Sequence, residues 1–132
     1  MGESLVSWIS KKQTSISLST TEAEYIAIAK CCTQIEWMKQ TLLDIKVVFS
    51  EPTVIYCDNT SAISLSKNPV QHSKAKHIPI KYHYLREQVA NKNIRLEYIS
   101  TEDQVADIFT KPLNTEVFEH LRQLLGVIIY PT

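Results

Sequence analysis

A chain of 132 residues with 44% apolar composition is sized for one domain with its own core, and fourteen basic against fourteen acidic side chains exclude a global electrostatic claim on nucleic acid. No apolar run approaches the ~18 residues that a bilayer span needs, no signal peptide or internal repeat is visible, and two glycines leave no glycine-rich phosphate loop. Cys31, Cys32 and Cys57 form neither a disulfide framework nor a zinc spacing, which points to a reduced, intracellular protein.

Residues 5–9 (LVSWI) read as a short strand, broken by Lys11, Lys12 and Gln13. Residues 15–19 alternate polar and apolar with the period of a half-buried strand, and the two segments can form one long bent strand. The pattern then turns helical. Tyr25, Ile28, Ala29 and Cys32 share one stripe, and Ser19 with Glu22, or Thr21 with Glu24, has capping-box spacing. A helix over 21–43 follows, with Trp37, Leu42 and Leu43 extending its buried side. Glu22 and Glu24 fall in its first turn, where compensation of the helix dipole by itself accounts for acidic residues.

A loop over 44–51 closes at Pro52, and TVIYC over 53–57 reads as a buried central strand. It ends in Asp58-Asn59-Thr60 before a short helix over 60–66. Asp58 is therefore either a helix cap or a site residue, since carboxyl ends of strands are where sites form in open α/β sheets. The polar stretch 67–76 carries Lys67, His72, Lys74 and Lys76, and a helix over 78–90 has Ile78, Tyr82, Leu85 and Val89 on one stripe. His77 and His83 lack metal-pair spacing and read as surface residues.

Asn91-Lys92-Asn93 turns the chain into an alternating strand over 94–99, and a short helix over 102–109 is interrupted by Pro112. Asn114 caps a last helix reaching 125, with Val117, Leu121, Leu124 and Leu125 as its core stripe and Gly126 as its stop. Acids thus stand on three separate elements: Glu24, Asp58 and Asp107. Three carboxylates converging from distant sequence repel one another unless cations lie between them, which is the arrangement of two-metal phosphoryl-transfer sites. Hard oxygen ligands select magnesium or manganese.

Three stretches carry a resemblance: SWISKKQTSISLSTTEAEYIA, VIYCDNTSAISLSKNPVQHSKAKHIPIKYHYLRE and IRLEYISTEDQVADIFTKPL. Together and in this order they resemble the ribonuclease H region of Ty1/copia-type retrotransposon polyproteins over nearly the whole chain. The resemblance implies an α/β, ribonuclease H-like fold with a small mixed or parallel sheet flanked by helices. It implies a Mg2+ or Mn2+ site that cuts the RNA strand of RNA–DNA hybrids. Glu24 in TEAEY, Asp58 in CDN and Asp107 in VADIFTK match the family's catalytic metal ligands, with Glu22 the lesser candidate of its pair. Lys11, Lys12, Asn59, Lys74 and His77, with Lys67 and Lys76 beside them, are the candidate nucleic-acid contacts.

The family orders its acids Asp, Glu, Asp, Asp, with the first in a DADWAG-like stretch of the opening strand. These 132 residues hold no such stretch, and only Glu3 precedes Glu22 among the acids. The expectation is a truncated fold without its first two strands and without the aspartate that bridges both metals. In that fold, strand 15–19 slides beside the strand ending at Asp58 and gives a three-stranded core with an open edge. Such an edge invites a homodimer or hetero-complex by strand addition. The resulting reading is a catalytically inactive protein-interaction module, with an active ribonuclease H as the alternative when a partner supplies the missing strands.

Overall fold

The computed structural model describes residues 5–13, 17, 19–67 and 83–127, and divides the chain into two compact units, 16–98 and 1–15 with 99–132. The first unit begins with helix α1 (Thr20–Asp44), which starts where Ser19, in extended conformation, accepts the Glu22 N–H on its hydroxyl oxygen at 3.2 Å. The cap is therefore Ser19 with Glu22 rather than Thr21 with Glu24. Strand β1 (Thr53–Cys57), helix α2 (Thr60–Lys67), helix α3 (Tyr84–Ala90) and strand β2 (Ile94–Tyr98) follow in that order. The fold class is α/β, with a small parallel sheet and helices packed on it.

β1 and β2 pair in parallel, from Thr53 opposite Ile94 to Cys57 opposite Tyr98. The inward residues Ile55, Cys57, Ile94 and Leu96 meet Tyr25, Ile26, Ile28, Ala29 and Cys32 of α1, Ala62, Ile63 and Leu65 of α2, and Leu85 of α3 in one core. Tyr56, between two buried neighbours, is 54% exposed. β1 is thus a half-buried strand rather than the doubly covered one expected from its β-branched composition. Arg86 ties the three helices together: its Nε donates to the Leu65 carbonyl at 3.2 Å and its guanidinium lies 5.7 Å from the centre of the Tyr25 ring.

The second half of α1 departs from expectation. Trp37 is 64% exposed, Leu43 is exposed, and Leu42 is only half-buried. A 25-residue helix rises about 37 Å whereas a five-residue strand spans about 17 Å, so this sheet covers only part of the helix. The apolar stripe continues past the end of its floor.

Three helix ends close in the same way. Val47 and Lys46 donate back to Leu42 and Leu43, Asn93 and Lys92 to Gln88 and Val89, and Val127 and Gly126 to Arg122 and Gln123. This is the Schellman pattern, which places one residue in the left-handed region. Gly126 fits there at φ 70°, but Lys46 (φ 65°) and Lys92 (φ 58°) carry a Cβ into that region. Lys46→Gly and Lys92→Gly are each expected to stabilise the first unit by about 0.5–1 kcal/mol, read as a higher urea midpoint at unchanged slope.

Two expected strands fare differently. Residues 5–9 form no strand: Leu5, Val6, Trp8 and Ile9 are exposed, and among the described residues no strand pairs with them. An extended apolar segment without a neighbouring ladder leaves its backbone to water. Segment 15–19 lies largely outside the described residues, and its described members Ser17 and Ser19 are not in a strand. The described sheet therefore has two strands where three were expected. The start of the helix expected over 78–90 also lies outside the described residues.

In the second unit, Trp8 stacks on Phe109 with ring centres 5.1 Å apart. The helix expected over 102–109 is two short 3-10 segments, Thr101–Asp103 and Val105–Phe109, separated by Gln104 in extended conformation. Helix α4 (Thr115–Leu124) is capped by Asn114, whose side-chain oxygen accepts the Val117 N–H at 2.9 Å. Leu121 is fully buried, while Leu124, expected in the core, is exposed.

Asp103 links the 3-10 turn to α4, accepting from the Ser100 hydroxyl at 2.8 Å and lying 3.1 Å from His120 Nε2. The Ser100 hydrogen bond, then His120, hold its carboxyl below the ordinary value. A depressed carboxyl stabilises above its unfolded value of about 4, and that contribution disappears as the pH falls through the lower folded value. Titrating the Asp103 carboxyl carbon by NMR is expected to show the lowered midpoint, and Ser100→Ala to raise it. Among the described residues, no helix is long and apolar enough to cross a membrane.

Candidate metal centre

The Ser19 cap fixes where α1 begins, and so where its early acids project. Glu22 and Glu24 are two positions apart, about 200° around the helix. Glu22 is buried and Glu24 half-buried. Asp58 leaves β1 immediately after Cys57 and is half-buried as well. Capping of α2 belongs to the next residue: the Asn59 side-chain oxygen accepts the Ala62 N–H at 2.9 Å, and its carbonyl accepts the Ile63 N–H at 3.1 Å. With Asn59 as cap, the capping reading of Asp58 falls away.

One ligand atom each of Glu24, Cys57 and Asp58 lies within 4.8 Å of the other two. Helix start and strand end thus meet at the carboxyl end of β1. Cys57, which carried no signal in the sequence beyond its place beside Asp58 on the inward side of the strand, is 2% exposed. Its sulfur accepts the Asn59 N–H at 3.3 Å and its S–H faces the Asn59 carbonyl at 3.6 Å. Burial pushes the Cys57 thiol up, with Glu24 and Asp58 adding to the rise against the Asn59 hydrogen bond. Elsewhere Cys31 is exposed and Cys32 buried, so the two point apart; burial, with Glu36 and Cys31 adding, pushes Cys32 up to about 11.

Asp107 belongs to the second unit. It is buried there, and its carboxylate accepts from Lys111 Nζ at 2.8 Å, just past the end of the same 3-10 segment. Lys11 and Lys12 are exposed in the same unit, and Lys67 is exposed in the last turn of α2. Asn59 is half-buried and engaged as a cap. His83 is half-buried beside Arg86 rather than at the surface. Lys74, Lys76 and His77 lie outside the described residues.

The geometry defines an α/β chain with two carboxylates and a thiol gathered at a strand end, and comparison with known proteins shows its origin. Over 131 residues, 99% of this chain, it is 42% identical to the retrovirus-related Pol polyprotein from transposon RE2 of Arabidopsis thaliana, and 41% identical to that from transposon RE1 of the same plant. The corresponding polyprotein from transposon TNT 1-94 of Nicotiana tabacum is 41% identical over 122 residues, 92% of this chain. The chain is homologous to a segment of the Pol polyproteins of Ty1/copia-type retrotransposons. It spans 9% of the length of each of these three relatives. No family model matches the chain, and no solved structure matches it.

Proposed function

We propose that these 132 residues are a ribonuclease H-type segment of a retrotransposon Pol polyprotein that does not cut nucleic acid by itself and acts by pairing β1 with a strand from another chain, its own copy or a different one. The Pol relationship supports the origin, and the TEAEY, CDN and VADIFTK motifs support the ribonuclease H reading. One observation carries it. Glu24 and Asp58 converge at the carboxyl end of β1, whose pairing among the described residues is with β2 alone.

Two carboxylates from separate elements suit a hard divalent cation, so Glu24 and Asp58 are the residues that hold magnesium or manganese. Bound there, the ion supplies Lewis-acid activation of water and neutralises phosphate charge. Two-metal chemistry requires more ligands than this pair offers. In the family, two further aspartates provide them. The same convergence favours a second reading: with a strand carrying the leading aspartate paired on β1, the assembly cleaves the RNA strand of RNA–DNA hybrids, with Lys11 and Lys12 among the phosphate contacts.

A labelled RNA–DNA hybrid, incubated with the chain and magnesium or manganese, separates these readings when light scattering is run on the same sample. No cutting by a folded chain that associates with itself or with the preceding Pol segment supports the first reading. Cutting only after that segment is added, abolished by Asp58→Asn, establishes the second. A monodisperse monomer that captures no strand and cuts nothing overturns both.

A further inference from the structure

We propose that Cys57 is a third ligand of this centre, giving it a high affinity for thiophilic divalent cations of the zinc and cadmium class. The inference rests on the reading that Glu24 and Asp58 hold a divalent cation, and goes beyond it in the ligand set and the ion selected. The three donor atoms already lie within 4.8 Å of one another. Tetrahedral zinc binds sulfur at about 2.3 Å and carboxylate oxygen at about 2.0–2.2 Å, which places ligand atoms roughly 3.5 Å apart. Side-chain rotation of about 1 Å closes that gap.

Position prepares the thiol for this role, and the ion must overcome the burial that favours the protonated form. Cys57 faces inward at the last residue of β1, and the adjacent Asp58 leads the chain out of the strand, so backbone geometry holds sulfur and carboxylate together. Magnesium, which demands oxygen ligands, leaves Cys57 protonated and bonded to Asn59. A zinc or cadmium ion takes the thiolate: the S–H bond breaks, the proton goes to solvent and the S–metal bond forms, with no change of oxidation state. The ion joins one sulfur and two carboxylates and keeps a fourth position for water.

Cadmium titration of the 132-residue chain, kept reduced with a phosphine, reads the thiolate directly through its ultraviolet sulfur-to-cadmium charge-transfer band. The expected band saturates at one equivalent, persists in Cys31→Ser, and is lost in Cys57→Ser. Cys57→Ser is also expected to weaken cadmium binding at least about tenfold while leaving manganese binding within about twofold. Glu24→Gln and Asp58→Asn are expected to weaken both ions. A band that survives Cys57→Ser, or one indifferent to both carboxylate variants, overturns the proposal. Manganese binding without any cadmium–thiolate band overturns it and leaves the carboxylate reading standing, whereas loss of both ions removes both. Should Cys57→Ser fail to fold, cadmium NMR on the unchanged chain decides between a mixed sulfur–oxygen ligand set and an all-oxygen one.

Discussion

Replacing Tyr25 with alanine is expected to cost the first unit about 3–5 kcal/mol, the upper range for emptying an aromatic site in a core. Tyr25 is fully buried among residues of α1, α2, α3 and the sheet. The total stability of a domain is about 5–15 kcal/mol, so Tyr25→Ala brings this unit close to unfolding at room temperature. Tyr25→Phe separates packing from polarity. It keeps the ring under Arg86 but removes the hydrogen bond between the two side chains, at an expected cost of about 1 kcal/mol. Urea denaturation of both variants checks the ranking. Equal losses for alanine and phenylalanine place the stabilisation in the Arg86 bond rather than in the ring.

Asp58→Asn is expected to weaken manganese binding at least roughly tenfold while leaving the fold intact. Substituting the outer partners of metal ligands costs about 10–100-fold in affinity, and a charged ligand contributes no less than its own support. The fold survives because Asn59, not Asp58, caps α2. Isothermal titration with manganese, paired with far-ultraviolet circular dichroism, separates the two effects. An unchanged affinity removes Asp58 from the ligand set, and a lost helical signal moves it to structural support.

Where a signal was local, the chain announced itself. The bounds of β1 follow from five β-branched, aromatic and small residues between Pro52 and Asp58, and the start of α1 follows from Ser19 three residues before Glu22. The pairing of Glu24 with Asp58 rested on the resemblance of TEAEY and CDN to a known family, because position alone leaves Glu22 and Glu24 together in the first turn of α1. What stayed hidden depends on something outside the segment itself. Residues 5–9 carry a strand's composition, but pairing is a property of two segments, and composition names no partner. The stripe of α1 runs on through Trp37 and Leu43 because helical periodicity does not record the length of the sheet beneath. Lys46 and Lys92 end their helices in a conformation that glycine usually signals. Asp107 gave no hint of its bond to Lys111 beyond the spacing of four that such pairs share with many others.

The parallel register also determines the order in which the chain can assemble. Every residue of β1 lies 41 positions before its partner in β2, as Thr53 does from Ile94, so no rung of this ladder forms between near neighbours. Closing a loop of that length costs about 3 kcal/mol of chain entropy before the first strand contact offsets it. A hairpin incurs almost none of this and zips within microseconds. Here α1 and α2 can form early from local contacts, while the sheet must await their docking. The floor beneath Glu24 and Asp58 is therefore expected to become ordered late in the folding of this unit.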